Sequence, residues 1–152
     1  MDRPFSALCM ATLGPLGRTS NAPGTVATLL AGIPCACLLG FLPLPLRAAC
    51  VAAVVLVGAL AAGRAEIVLG RTDPQEVVID ELAGYLTTMV LVEPTVANVL
   101  VGFVLFRIFD IWKPWPVNAL QTGLKGGAAI VMDDVAAGIY GMGILRILEC
   151  FW

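Results

Sequence analysis

The chain has 152 residues, 59% of them hydrophobic and 13% charged, with a net charge of −2 and a mean hydropathy of +0.93. Soluble domains carry roughly 25% charged residues, so this composition points to a membrane, and the slight acidic balance gives no electrostatic footing for nucleic acid. Histidine is absent, which removes Ser-His-Asp and Cys-His catalysis, phosphohistidine intermediates and most zinc sites.

Residues 1–23 read as an irregular lead-in without the basic, apolar and small-residue order of a signal peptide. Asn21-Ala22-Pro23-Gly24-Thr25 closes it. That segment is either a turn with a helix N-cap or a hydroxyl and helix amides facing an anion. Gly24 to Leu42 is the first uncharged run, ended by Pro43, Pro45 and Arg47, and Ala48 to Gly63 is the second, closed by Arg64. A helix needs about 20 apolar residues to cross a bilayer, with a range of about 17–25. The pair predicts a helical hairpin, in lipid or in a bundle core. The cysteines, Cys9, Cys35, Cys37, Cys50 and Cys150, form no C-x-x-C pair, and an odd count argues against a disulfide framework.

The next segment is the most polar. Asp73-Pro74 is placed to cap a helix and begin it. Asp80-Glu81 then opens an apolar helix that Glu93-Pro94 divides from a second one. Each half is about a dozen residues, too short to cross the hydrocarbon. The reading is a helix–turn–helix that enters part-way and returns, setting Asp80 and Glu81 beside the next polar cluster. That cluster is F-R-I-F-D-I-W-K-P-W-P, residues 106–116. Arg107 and Asp110, three apart, share a helix face, and Pro114 and Pro116 stop the helix. A polar loop from Asn118 to Gly127 follows. A last apolar helix, Val135 to Trp152, follows Lys125-Gly126-Gly127 and Asp133-Asp134 and carries Arg146 and Glu149 near its end. No linker divides the chain, so residues 1–152 read as one domain.

In so apolar a chain a carboxylate is costly unless paired, protonated or holding a cation. Charges that only mark helix ends would not call for two pairs of adjacent acids, Asp80/Glu81 and Asp133/Asp134, with Asp110 and the interleaved cations. Hard oxygen donors without histidine or paired cysteine point to Mg2+, then Mn2+. The chemistry that follows is phosphoryl transfer: cation and Arg/Lys neutralise phosphate oxygens, and a carboxylate orients or deprotonates water.

The segments Ala22-Pro23-Gly24-Thr25, Asp73-Pro74 with Val78-Ile79-Asp80-Glu81-Leu82-Ala83-Gly84, the 106–116 block and Lys125-Gly126-Gly127 with Met132-Asp133-Asp134-Val135-Ala136-Ala137-Gly138 occur in one order. In this the chain resembles the phosphatidylglycerophosphatase A family over residues about 20 to 141. The resemblance implies an all-α bundle, a central helix packed by several others, associated with or partly embedded in a membrane. It implies a Mg2+-dependent phosphatase at the cytoplasmic face of a bacterial inner membrane, converting phosphatidylglycerophosphate to phosphatidylglycerol. Asp80, Glu81, Asp110, Asp133 and Asp134 match its acidic positions. Arg107, Lys113 and Lys125 match its basic ones, and Thr25 its Pro-Gly-Thr. Catalysis is expected from the five acids, cation binding from Asp80, Glu81, Asp110 and Asp134, and phosphate binding from Thr25, Arg107, Lys113 and Lys125. Departures at Val26-Ala27-Thr28, Ile79 and Ala128-Ala129 remove no charged position. Two other readings stand beside it: a phosphatase of another phosphomonoester, and a non-catalytic cation-binding membrane protein.

Overall fold

Prolines and glycines punctuate an all-helical chain. The computed structural model describes residues 3–18, 22–115, 117 and 123–151, and among these there is no strand. Asn21, Pro116, residues 118–122 of the expected polar loop and Trp152 lie outside the described residues.

Helix α1 is Arg3–Ala11, followed by a 3-10 turn at Leu16–Arg18. Helix α2, Pro23–Ala27, continues through a π turn at Thr28–Gly32 into α3, Ile33–Gly40. Pro34 has no amide hydrogen for the carbonyl four residues back, and the ladder widens just ahead of it, Ile33 N–H bonding Thr28 O. Helix α4, Leu44–Leu69, begins after Pro43 and stops at Gly70, whose φ of 64° is the left-handed end that glycine accepts at no steric cost. Two sequence boundaries therefore move. Pro45 and Arg47 belong to the start of α4 rather than to the end of the preceding run, and Arg64 lies inside α4 rather than closing it.

Helix α5 is Ile79–Met89 and α6 is Val96–Trp112. The expected cap at Asp73-Pro74 is corrected: Asp73 has a φ of +48°, Pro74 accepts a turn bond from Val77 N–H, and α5 begins only at Ile79. Val78 N–H is taken instead by Ala11 O at 2.9 Å, so the end of α1 holds the entry to α5. The turn between α5 and α6 falls at Glu93-Pro94 as read, and Thr95 caps α6 by accepting from Asn98 N–H at 3.2 Å. The second half, at 17 residues, is longer than the expected dozen. Helix α7 is Gly127–Leu148. It starts eight residues before the expected Val135, so Asp133 and Asp134 stand inside a helix and not ahead of one.

Helix α5 is buried at every residue except Asp80 and Glu81, and it packs against α4, α6, α7 and the π turn. Its tightest neighbour is α7. A Cβ on Gly138 would stand 2.3 Å from Gly84 O, and one on Gly84 would stand 2.7 Å from Asp134 O. Only glycine allows the two backbones this approach, the small-residue device by which helices associate where lipid competes for apolar contact. Tyr85 and Phe106 fill the core edge-to-face at 6.3 Å, and the Tyr85 hydroxyl donates to Val99 O at 3.0 Å. Among the described residues three helices are long and apolar enough to cross a membrane: Pro23–Gly40, Leu44–Leu69 and Gly127–Phe151.

The bundle has two unlike ends. At one, buried Arg47 donates to Val92 O at 2.9 Å and Gly40 O at 3.0 Å, pinning the α3–α4 turn to the α5–α6 turn. Asn98 and Glu149 meet there at 2.7 Å. At the other end the starts of α2, α5 and α7 meet the end of α6.

Candidate active site

At that second end lies a cavity of about 300 Å³. Its walls hold eight of the nine residues singled out from the sequence: Thr25, Asp80, Glu81, Arg107, Asp110, Lys113, Asp133 and Asp134. The ninth, Lys125, is exposed and lines an adjoining cavity with Glu66, Thr72 and Leu124. Asp73 and Ile130 belong to both walls.

Each element delivers its residues for a local reason. The first turn of α5 carries Asp80 and Glu81, where free amides and the helix dipole favour negative charge. The last turns of α6 carry Arg107 and Asp110 on one face, bonded at 2.9 Å. Arg107 Nη1 also pairs with Glu81 Oε2, joining α5 to α6. Lys113 ends α6 with a φ of 45°, which turns the chain so that its Nζ reaches Asp133 Oδ2 at 2.5 Å. Asp133 Oδ1 accepts the Asp134 amide at 3.0 Å.

The Pro23-Gly24-Thr25 segment fits because Gly24 has no side chain. A Cβ there would stand 1.7 Å from Glu81 Oε1. One turn on, the buried Thr28 hydroxyl donates to Gly24 O at 3.0 Å and lies 3.4 Å from Glu81 Oε2. At the N-cap Ala22 makes no side-chain cap bond. The segment therefore both begins α2 and lines the cavity.

Burial, then the neighbouring Glu81 charge, push the Asp80 carboxyl well above its ordinary range. Burial also raises Glu81, against the pull of Arg107. For Lys113 burial opposes the charge, but the Asp133 carboxylate, together with those of Asp134 and Asp110, holds the ammonium above its usual value. Asp80 Oδ1 is sealed from solvent with no hydrogen-bond partner among the described residues. In this conformation Glu81, Asp110 and Asp133 are taken by Arg107 and Lys113, and among the described residues no three acids converge as a ready-made ion cage.

The structure adds Thr28, beside Glu81, and Gln75, on the cavity wall, to the candidates that the sequence offers. Thr28 was legible: it lies three residues after Thr25 and so on the same helix face. Asp73, which the sequence sets upstream of the clustered acids and offers as a helix cap, lines the cavity without capping a helix. Gln75 carried no signal.

Clustered carboxylates, two cations and an apolar helical body are the makings of a hydrolase for a charged group on an apolar compound. The sequence model of the family described as phosphatidylglycerophosphatase A matches residues 9–149, and the chain belongs to that family. It is 35% identical to the phosphatidylglycerophosphatase A of Escherichia coli K12, over 90% of this chain and 79% of that one. It is 30% identical to the Haemophilus influenzae protein of the same name, over 90% and 83%. A Bacteroides thetaiotaomicron protein named as a candidate phosphatidylinositol-3-phosphatase is 36% identical, over 97% and 96%. No solved structure matches the chain.

Proposed function

We propose that this lipid phosphatase hydrolyses phosphatidylglycerophosphate to phosphatidylglycerol and phosphate, with Mg2+, at the cytoplasmic face of a bacterial inner membrane. Family membership and two relatives that carry that name support the substrate. The observation that carries the chemistry is the single cavity that gathers Asp80, Glu81, Asp110, Asp133 and Asp134 with Arg107 and Lys113.

The residues fit a hard divalent cation. The cavity offers carboxylate, hydroxyl and amide oxygens and no thiol, and Asp80 Oδ1 is buried without a hydrogen-bond partner among the described residues. Asp80, Glu81, Asp110 and Asp134 would hold it. When bound, the ion offsets phosphate charge and makes water more acidic. Arg107 and Lys113 bind the equatorial phosphate oxygens, and Thr25, which lines the same cavity, lends a hydroxyl. Asp133, fixed by Lys113 and by the Asp134 amide, orients rather than ligates. A carboxylate of the set takes the proton of the attacking water. The D-x-D-x-[TV] pattern of an aspartyl-phosphate route is missing, which favours direct in-line attack. Lys125, one cavity away, meets the anionic head as it enters.

Membrane placement is supported by the three long apolar helices and by exposed apolar side chains such as Leu38, Leu56, Val96 and Ile111. The site end carries Arg18, Arg64, Arg71, Arg107, Lys113 and Lys125. The far end has Arg47 and Arg146. This excess favours a cytoplasmic site.

The test is phosphate release from phosphatidylglycerophosphate in mixed micelles. Turnover with Mg2+, its loss with a chelator and a fall of about 10²-fold or more in Asp134→Asn are expected. Wild-type turnover by Asp134→Asn sinks the site, and cation binding without turnover makes the protein a non-catalytic binder. The Bacteroides relative favours one second reading, a phosphatase of phosphorylated inositol lipids. Preference for phosphatidylinositol 3-phosphate in the same assay would establish it.

A further inference from the structure

Asp73 has no use in the fold that accounts for its side chain. It is exposed, it caps no helix, and its carboxylate makes no hydrogen bond or ion pair among the described residues. Yet its position is held against a cost. Its φ of +48° lies in the left-handed region, which L-residues other than Asn and Asp rarely enter. Its amide is pinned by Glu66 Oε1 at 3.0 Å, from the last turn of α4. Strain that the surroundings enforce is found preferentially at ligand sites.

Where the strain puts it is specific. Asp73 lies on the wall of three adjoining cavities: the acid-rich one, one with Arg18 and Arg71, and one with Lys125. A head group that extends from the first cavity into either of the others passes Asp73. A carboxylate there repels phosphate, so it does not serve the phosphoryl group. It is a strong acceptor for a neutral donor, and a hydroxyl is the donor that a polyol head group offers. Asp73 is also the most exposed acid of the cavity wall, on a loop, whereas the five acids above are partly or fully buried on helices.

We propose that Asp73 binds the free hydroxyl of the substrate's head group and so selects phosphomonoesters whose alcohol carries a neighbouring hydroxyl. The inference rests on the lipid phosphatase reading and adds the feature of the substrate that the site reads. Glu66 is the positioning residue that holds the loop. Sites built to bond a hydroxyl discriminate strongly against analogues that lack it.

The experiment compares the full-length protein on two lipids with saturating Mg2+: phosphatidylglycerophosphate, and its analogue with propane-1,3-diol in place of the head glycerol. Wild type is expected to prefer the first by about tenfold or more in kcat/KM. Asp73→Gly keeps the left-handed backbone at no steric cost, and should bring the ratio to within about twofold of one, mainly through KM. Asp73→Asn tolerates the same backbone and keeps a neutral acceptor, so its ratio should fall between the two. An unchanged ratio in both variants overturns the proposal. An unchanged ratio with a severalfold higher Mg2+ requirement also overturns it, and makes Asp73 a cation ligand. If Asp73→Gly does not fold, the ratio of Asp73→Asn decides. Wild-type turnover without discrimination overturns this inference alone, whereas no wild-type turnover of either lipid sinks the phosphatidylglycerophosphatase reading beneath it.

Discussion

Glu81 is the most constrained side chain of the site. Arg107 pairs with it, the Thr28 hydroxyl lies 3.4 Å away, and Gly24 leaves room for it. Thr28 has one hydrogen to give and two acceptors within reach, Gly24 O and Glu81 Oε2. It can therefore follow Glu81 without leaving its own helix unsatisfied. Thr28→Val removes the hydroxyl at nearly constant shape and should lower kcat by about tenfold through misplacement of Glu81. Thr28→Ser keeps the donor and should stay near wild type in the same assay. Arg107 bridges Glu81 and Asp110 through one nitrogen, and in the proposed mechanism the rest of its planar fork binds phosphate. A lysine there is a single point charge. Arg107→Lys should therefore lose about 10²-fold in kcat/KM while thermal unfolding shifts little, and equal activity would exclude Arg107 from the phosphate site.

At the scale of the element, the α5–α7 crossing sets the site. Asp80 and Glu81 come from one helix and Asp133 and Asp134 from the other. Their separation is fixed where Gly84 and Gly138 let the backbones touch. Gly138→Ala should force the helices apart, since its Cβ meets backbone and not a flexible chain end. Overpacking of this kind costs about 1–3 kcal/mol, read as a lower unfolding midpoint in detergent. Catalysis per folded molecule should fall with it, because the two acid pairs move together with the crossing. A stability loss with unchanged kcat would mean that the crossing does not set the acid spacing. The far-end clamp at Arg47 complements the crossing: it ties two turns whose carbonyls lie in apolar surroundings and would otherwise be unsatisfied.

At the scale of the molecule, two exposed cysteines report on orientation. Cys9 is on α1, whose end at Ala11 bonds the entry to α5 at the site end. Cys150 follows α7 at the end that carries Arg146 and Glu149. In single-cysteine variants that keep one or the other, a membrane-impermeant maleimide should label Cys150 in intact spheroplasts and Cys9 only in inverted vesicles. The reverse pattern would put the site on the outer side. Cys35, Cys37 and Cys50 are half-buried within the long apolar helices and should resist the reagent from both sides.

The sequence by itself determined the helical class, the turn at Glu93-Pro94 and the gathering of the acids and cations at one end. Charges in so apolar a chain cannot be scattered without large desolvation cost, so their positions already mark where the bundle is polar. Local spacing was enough to pair Arg107 with Asp110. The tertiary structure alone decided the rest. Val78 has its amide taken by Ala11, which moves the start of α5 past Asp73 and frees that carboxylate for the cavity rim. Lys113 and Asp133, twenty residues apart, meet because a left-handed residue ends α6 beside a helix that starts eight residues before its apolar run suggested. Lys125 falls into the neighbouring cavity because Gly126 turns the chain just before α7. These contacts join segments far apart in sequence, and periodicity, which reports only which face of one element is apolar, carries no information about them.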